Sequence, residues 1–85
     1  MPVIMHYVYL IESERDTTKR YVGFTDDLKQ RLADHNAGKS KHTSAARPWR
    51  LETYVGFRNR ERALAFERYL KVGSGHAFAR RHFWS

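Results

Sequence analysis

The chain contains no cysteine, so neither a disulfide framework nor a thiolate metal site holds it together. It has no apolar run approaching the roughly 18 to 20 residues of a membrane-spanning helix. The start, Met1 to Met5, is apolar, but it lacks the basic beginning and longer apolar stretch of a signal peptide. A cytoplasmic protein is therefore expected. There is no internal repeat. Acids are missing from two stretches: none lies between Asp34 and Glu52, and none follows Glu67. His42, His76 and His82 lack the paired spacing of a zinc site.

What is present suffices for a core. Eighty-five residues, 41% of them hydrophobic and 14% aromatic, predict one domain over 1–85 that buries about 60% of its unfolded surface. Intrinsic disorder is disfavoured. Sixteen Lys and Arg against nine Asp and Glu give a formal charge of +7 and a pI near 10.1, a balance that attracts polyanions. The excess gathers where acids are missing, at Lys39, Lys41, His42, Arg47 and Arg50, and again after Glu67.

Met5 to Ile11 reads as a strand, with Tyr7, Tyr9 and Ile11 on one face and His6, Val8 and Leu10 on the other. Glu12 to Lys19 is polar and turn-like, and Arg20 to Thr25 resumes the β pattern, which predicts an antiparallel hairpin. Gly23 inside the second strand predicts a bulge or a close approach by another group. Thr25, Asp26 and Asp27 can each cap a helix that carries Leu28 and Leu32 on one face and ends near Gly38. Gly38 to Arg50 has no periodicity and is read as a mobile basic loop. Leu51 to Phe57 predicts a third strand, with Leu51, Thr53, Val55 and Phe57 on one face. Asn59 caps a second helix running to about Lys71, whose buried stripe is Ala63, Phe66 and Leu70. Gly73-Ser74-Gly75 breaks it, and His76 to Trp84 forms a basic terminal helix packed through Phe78 and Phe83. The expected class is α+β: a small, mainly antiparallel three-stranded sheet flanked by helices, in the order β-β-α-β-α-α.

The residues with chemical potential are Tyr7, Tyr9, Tyr21, Arg31, His35 and Glu67. Each has an ordinary structural reading. Aromatics favour half-buried strands; Arg31 can pair with Asp27, and Glu67 with Lys71, at i, i+4. Trp49, after Pro48, reads as a core anchor in preference to a surface for stacking on an unpaired base.

The order of these residues is more specific than any one of them. Tyr7-Val8-Tyr9, then Tyr21-Val22-Gly23, then Arg31 eight residues after the glycine, then Glu67 on a later helix, resembles the GIY-YIG nuclease family. The stretches YVGFTDDLKQRLADHNAGK, RPWRL and YLKVGSGHAFARRHF resemble its small bacterial single-domain branch, related to the GIY-YIG component of excinuclease. The likeness runs from Tyr7 to about Phe83. Two positions depart from it. Tyr7 replaces the glycine of the first tripeptide, and Phe24 stands where the excision-repair branch commonly has lysine, so that cation is lacking.

The resemblance implies a divalent-metal-dependent endonuclease that hydrolyses phosphodiester bonds in DNA, directed by substrate structure and linked to repair or processing. RNA is a second substrate class open to the same charges, and a protein partner could supply further specificity. Phosphodiester hydrolysis needs an activated water, neutralised phosphoryl oxygens and a stabilised leaving group. The resemblance makes Tyr21 the base, with Tyr9 orienting it; His35, whose imidazole ordinarily titrates near neutrality, is expected as its proton partner or its substitute. Arg31 offers a planar fork for phosphate, and Glu67 would hold Mg2+ (or Mn2+). Lys39, Lys41, Arg47 and Arg50 are the expected nucleic-acid contacts, and they position without reading sequence. The competing expectations are a binding module on the same fold with little or no cleavage, and a protein-interaction domain.

Overall fold

The structure is a computed structural model and describes residues 4–84; of the apolar start Met1 to Met5, residues 1–3 lie outside it. Strand β1 (His6–Ser13) runs down the middle of a three-stranded sheet, between β2 (Arg20–Thr25) and β3 (Trp49–Phe57), and is antiparallel to both. Helix α1 (Leu28–Asn36) follows β2, and α2 (Arg60–Lys71) and α3 (Gly73–His82) follow β3. This is the α+β class and element order that the residue patterns predict.

A central strand covered on both faces must be apolar on both, which is why MHYVYLI has so few solvent-friendly positions. Val8 and Leu10 face α2 and α3 and pack with Ala63, Leu70 and Ala79; Val22, Phe24, Phe57, Phe66, Phe83 and Trp84 close around them. On the opposite face Tyr9 and Ile11 pack with Trp49, Tyr21, Leu28 and Leu32 under α1. Burying a residue such as Leu10 completely contributes roughly 1.5–3 kcal/mol. The alternation read from the sequence thus assigns Val8 and Leu10 to one layer and Tyr9 and Ile11 to the other, as the packing has them.

Local signals position the helices. Asp27, of the three candidate caps, accepts from the backbone N–H of Gln30 through its side chain at 3.1 Å. Beyond the end of α1, Gly38 takes the left-handed conformation with φ of 80°, while Lys39 N–H returns to the carbonyl of Asp34, a Schellman-type stop. Asn59 caps α2 through Arg62 N–H at 3.0 Å.

Four expectations change. Strand β3 begins at Trp49, two residues before Leu51, because Ser13 and Glu12 extend the pairing to Trp49 and Arg50. An irregularity between Leu10 and Ile11 pairs Leu10 with Thr53 but Ile11 with Leu51, so Leu51 leaves the face shared by Thr53, Val55 and Phe57. The break between the last two helices lies at the extended residue Val72, and α3 already starts at Gly73. Gly75 is buried against the backbone of Tyr69 with no room for a Cβ, so this glycine lets α3 approach α2 closely. Phe83 packs on the core, whereas Phe78 lies at its exposed margin, edge-on to Phe83 and tilted against Tyr69 and His82.

The Gly38–Arg50 segment is tied down at several points. Thr43 is buried and bonded to His35; the indole N–H of Trp49 donates to the Thr43 carbonyl at 2.8 Å. The side chain of Asn36 accepts from Trp49 N–H and donates to its carbonyl. Trp49 itself is 4% exposed, a core anchor with no face available for a base.

Candidate active site

The site grows from the contact between β1, one face of α1 from Arg31 to His35 in its last turn, and the edge strand β2. Tyr9 stands opposite Gly23 in the β1–β2 register. Its ring lies across the glycine, where a Cβ would collide with the Tyr9 hydroxyl and ring. The glycine flagged in the sequence therefore marks a close approach rather than a bulge.

Two residues one helical turn apart on α1 meet the Tyr9 hydroxyl. Arg31 donates through Nε at 3.2 Å, and His35 Nε2 lies 2.8 Å away. On its other side His35 Nδ1 is 2.6 Å from Thr43 Oγ1. We assign the Nδ1–H tautomer, which lets the hydroxyl of Tyr9 accept from Arg31 and donate to His35. The imidazole is completely buried, and the edge of Tyr21 packs against it with ring centroids 5.2 Å apart.

The electrostatics follow from this burial. Desolvation pushes the Tyr9 hydroxyl above the usual phenol value, although the bond from Arg31 and its charge pull the other way. Burial, with a smaller contribution from the Arg31 charge, holds His35 below the ordinary imidazole value. Arg31 is held more firmly protonated, chiefly by its bond to Tyr9. At neutral pH the trio is a neutral phenol, a neutral imidazole able to accept a proton, and a fixed cation.

Glu67 comes from α2, on the other layer, yet its charge bears on the Tyr9 hydroxyl. It is bonded to Lys71 at 3.0 Å, the i, i+4 pair anticipated from spacing. The ammonium of Lys71 also lies 5.7 Å from the ring centroid of Tyr21. Lys71 therefore brings a cation to Tyr21 from α2. Phe24 does not enter the site: it joins the apolar layer beneath α2, where His6 stacks on it and Arg60 lies 5.4 Å above its ring.

Among the described residues no three of His, Cys, Asp and Glu gather into a metal cage. A cation here would depend on the Glu67 carboxylate plus oxygens from water and substrate. That donor set suits Mg2+, which keeps several waters and shares phosphate ligands.

The expected nucleic-acid contacts are distributed unevenly. Lys39 lies 3.6 Å from Asp34, and Lys41 is exposed. The guanidinium of Arg47 packs over Gly38. Arg50 is committed to the buried carboxylate of Glu12 at 2.6 Å, which Arg20 also meets at 3.0 Å. Thr43, in an aperiodic loop, carried no sequence signal for its role beside His35. Lys71 had a weak one, its spacing from Glu67.

Comparison with known proteins bears on family and fold. The family described as the GIY-YIG catalytic domain matches residues 5–77. A UPF0213 protein of Streptococcus pneumoniae is 42% identical over 66 residues, covering 76% of this chain and 65% of that protein. One from Lactococcus lactis is 37% identical over 67 residues, covering 78% and 66%. The chain thus spans just under two thirds of the length of these relatives. The solution NMR structure of a UPF0213 protein from Bacillus halodurans superposes with a TM-score of 0.56 at 28% identity, over 93% of this chain and 86% of that one.

Proposed function

The chain belongs to the GIY-YIG family, and from that premise we propose that it is a Mg2+- or Mn2+-dependent endonuclease. On this reading residues 1–85 form one catalytic domain of a cytoplasmic protein, hydrolysing phosphodiester bonds in DNA during repair or processing. The supporting observation is the convergence of Arg31 and His35 on the Tyr9 hydroxyl, at 3.2 and 2.8 Å, beside Tyr21.

Tyr9 is 2% exposed, too enclosed to meet a substrate water, so it orients its neighbours. Tyr21 is half-buried and is the tyrosine able to reach that water. A phenol is a weak base near neutrality, so the proton it takes from water must pass on to a neighbour; the Lys71 ammonium lies 5.7 Å from the ring centroid of Tyr21. Neutral His35 is poised to take up a proton from the tyrosine pair. The guanidinium of Arg31 has Nη groups beyond the Nε bonded to Tyr9, and these would pair with phosphoryl oxygens. Glu67 would hold the divalent cation, which supplies Lewis-acid stabilisation of phosphoryl charge. Lys39, Lys41 and Arg47 would track the substrate backbone; Arg50, paired to Glu12, contributes field more than contact.

A binding module on the same fold is the second reading. The Glu67–Lys71 ion pair favours it, since that pair occupies the carboxylate proposed for the metal. Cleavage of linear and branched DNA, with and without Mg2+, separates the two. Tyr21→Phe, Arg31→Ala and Glu67→Ala should each lower the cleavage rate by at least about 100-fold, and chelator should abolish it. Four proteins cutting alike would mark the activity as contamination; DNA binding that survives chelator and Glu67→Ala without any cleavage would favour the module.

A further inference from the structure

Beside the site, between β2 and the α2–α3 pair, lies a cavity of about 490 Å3. Its walls carry four basic side chains, Arg20, Lys71, His76 and Arg80, and no carboxylate. Val22 and the indole of Trp84, with buried Leu70 beneath them, supply an apolar floor. Tyr21 belongs to its rim, so the cavity opens directly onto the proposed reacting centre.

Two of the four basic groups are held by carboxylates of the fold and two are not. Arg20 is aimed by the buried Glu12 and packs over the Trp84 ring at 5.0 Å, and Lys71 is held by Glu67. His76 and Arg80 are exposed, and neither side chain has a polar partner among the described residues. Two unpaired basic groups above an apolar, partly aromatic floor are complementary to an anion joined to a flat heterocycle. A volume near 490 Å3 lies in the range of small-molecule sites and suits one nucleotide; it is too small for a base pair with both its backbones.

We propose that this cavity takes a single unpaired nucleotide of the substrate strand, next to the phosphate presented at Tyr21. The base lies on the Val22 and Trp84 side, against the Arg20 guanidinium that covers that indole, as apolar and guanidinium surfaces favour, and its phosphate meets His76 and Arg80. The proposal rests on the nuclease reading and narrows its substrate to DNA with a single-stranded flap or splayed end at the cut.

Binding in chelator tests this independently of cleavage. Fluorescence anisotropy compares a blunt duplex with the same duplex bearing a short flap, whose first unpaired base is 2-aminopurine. Wild type should prefer the flap by at least tenfold and quench the 2-aminopurine. Arg80→Gln and His76→Gln/Arg80→Gln should bring the preference toward unity, while Arg62→Gln, an equal charge removed from the exposed face of α2, should leave the ratio unchanged. Equal binding of both duplexes by wild type, an unquenched flap base, or a ratio lowered as much by Arg62→Gln would overturn the proposal. So would binding of free deoxynucleoside monophosphate as tight as that of the flap, since the cavity would then serve a free ligand. A flap preference without cleavage in Mg2+ would sustain the cavity and remove the nuclease reading.

Discussion

At Gly23 and His35 a single atom decides whether the site exists. Gly23 is required for what lies above it, because any Cβ would meet the Tyr9 hydroxyl. Gly23→Ala must therefore displace that ring, break its bonds to Arg31 and His35, or distort β2. Overpacking of this kind costs about 1–3 kcal/mol. Denaturant titration should show that loss, and cleavage should fall with it; a Gly23→Ala protein of unchanged stability and activity would mean that Tyr9 is not held as described. The neighbouring imidazole makes a pH prediction. In the unfolded chain His35 titrates near 6.5, and in the fold burial and Arg31 hold it lower. As pH falls through 6.5 the unfolded state takes up this proton and the folded state does not, so stability drops until the folded value is reached and is flat below it. Thermal melts between pH 7.5 and 5 should show this decline, and His35→Gln should weaken its slope.

The elements meet at a second polar cluster that reveals what residue patterns can and cannot convey. Glu12, at the end of β1, is 2% exposed and is clamped by Arg20 from β2 and Arg50 from β3. It ties all three strands together at one end of the sheet. Both arginines remain partly open to water, so Glu12→Ala leaves cations that rehydrate, at a cost of about 1–3 kcal/mol. Arg20→Met/Arg50→Met strands a buried carboxylate and should cost more, about 3–5 kcal/mol. Equal losses on chemical denaturation would contradict the clamp. From sequence Glu12 belonged to a polar turn and Arg50 to the substrate surface, because a charged residue looks solvated until its partners are placed across strands. Period-2 and helical patterns, caps and glycines report local geometry, which is why the layers of β1, the start of α1 and the class were legible. The Thr43–His35 bond, the cation that Lys71 brings to Tyr21 and the slip at Leu51 depend on tertiary register, to which local pattern is blind.

The charge of the whole molecule is not spread evenly around the sheet. Thr43 fastens the acid-free Lys39–Arg50 segment to His35, and Lys71 joins the basic α2–α3 side to Tyr21. Both regions therefore border the same site, so a polyanion could engage the two together. No helix of the described residues is long and apolar enough to cross a membrane, and a formal charge of +7 attracts polyanions. If about four phosphates are neutralised, affinity for DNA should fall about 100-fold between 50 and 200 mM salt. Lys39→Gln/Lys41→Gln should reduce the slope of log affinity against log salt by about two contacts' worth, roughly 1.8, with little change in melting temperature because both side chains lie at the surface. Anisotropy titrations across that salt range measure it. A slope near zero for wild type would remove the electrostatic basis for nucleic-acid binding, and an unchanged slope in the double variant would shift the backbone contacts from this loop to the α2–α3 side.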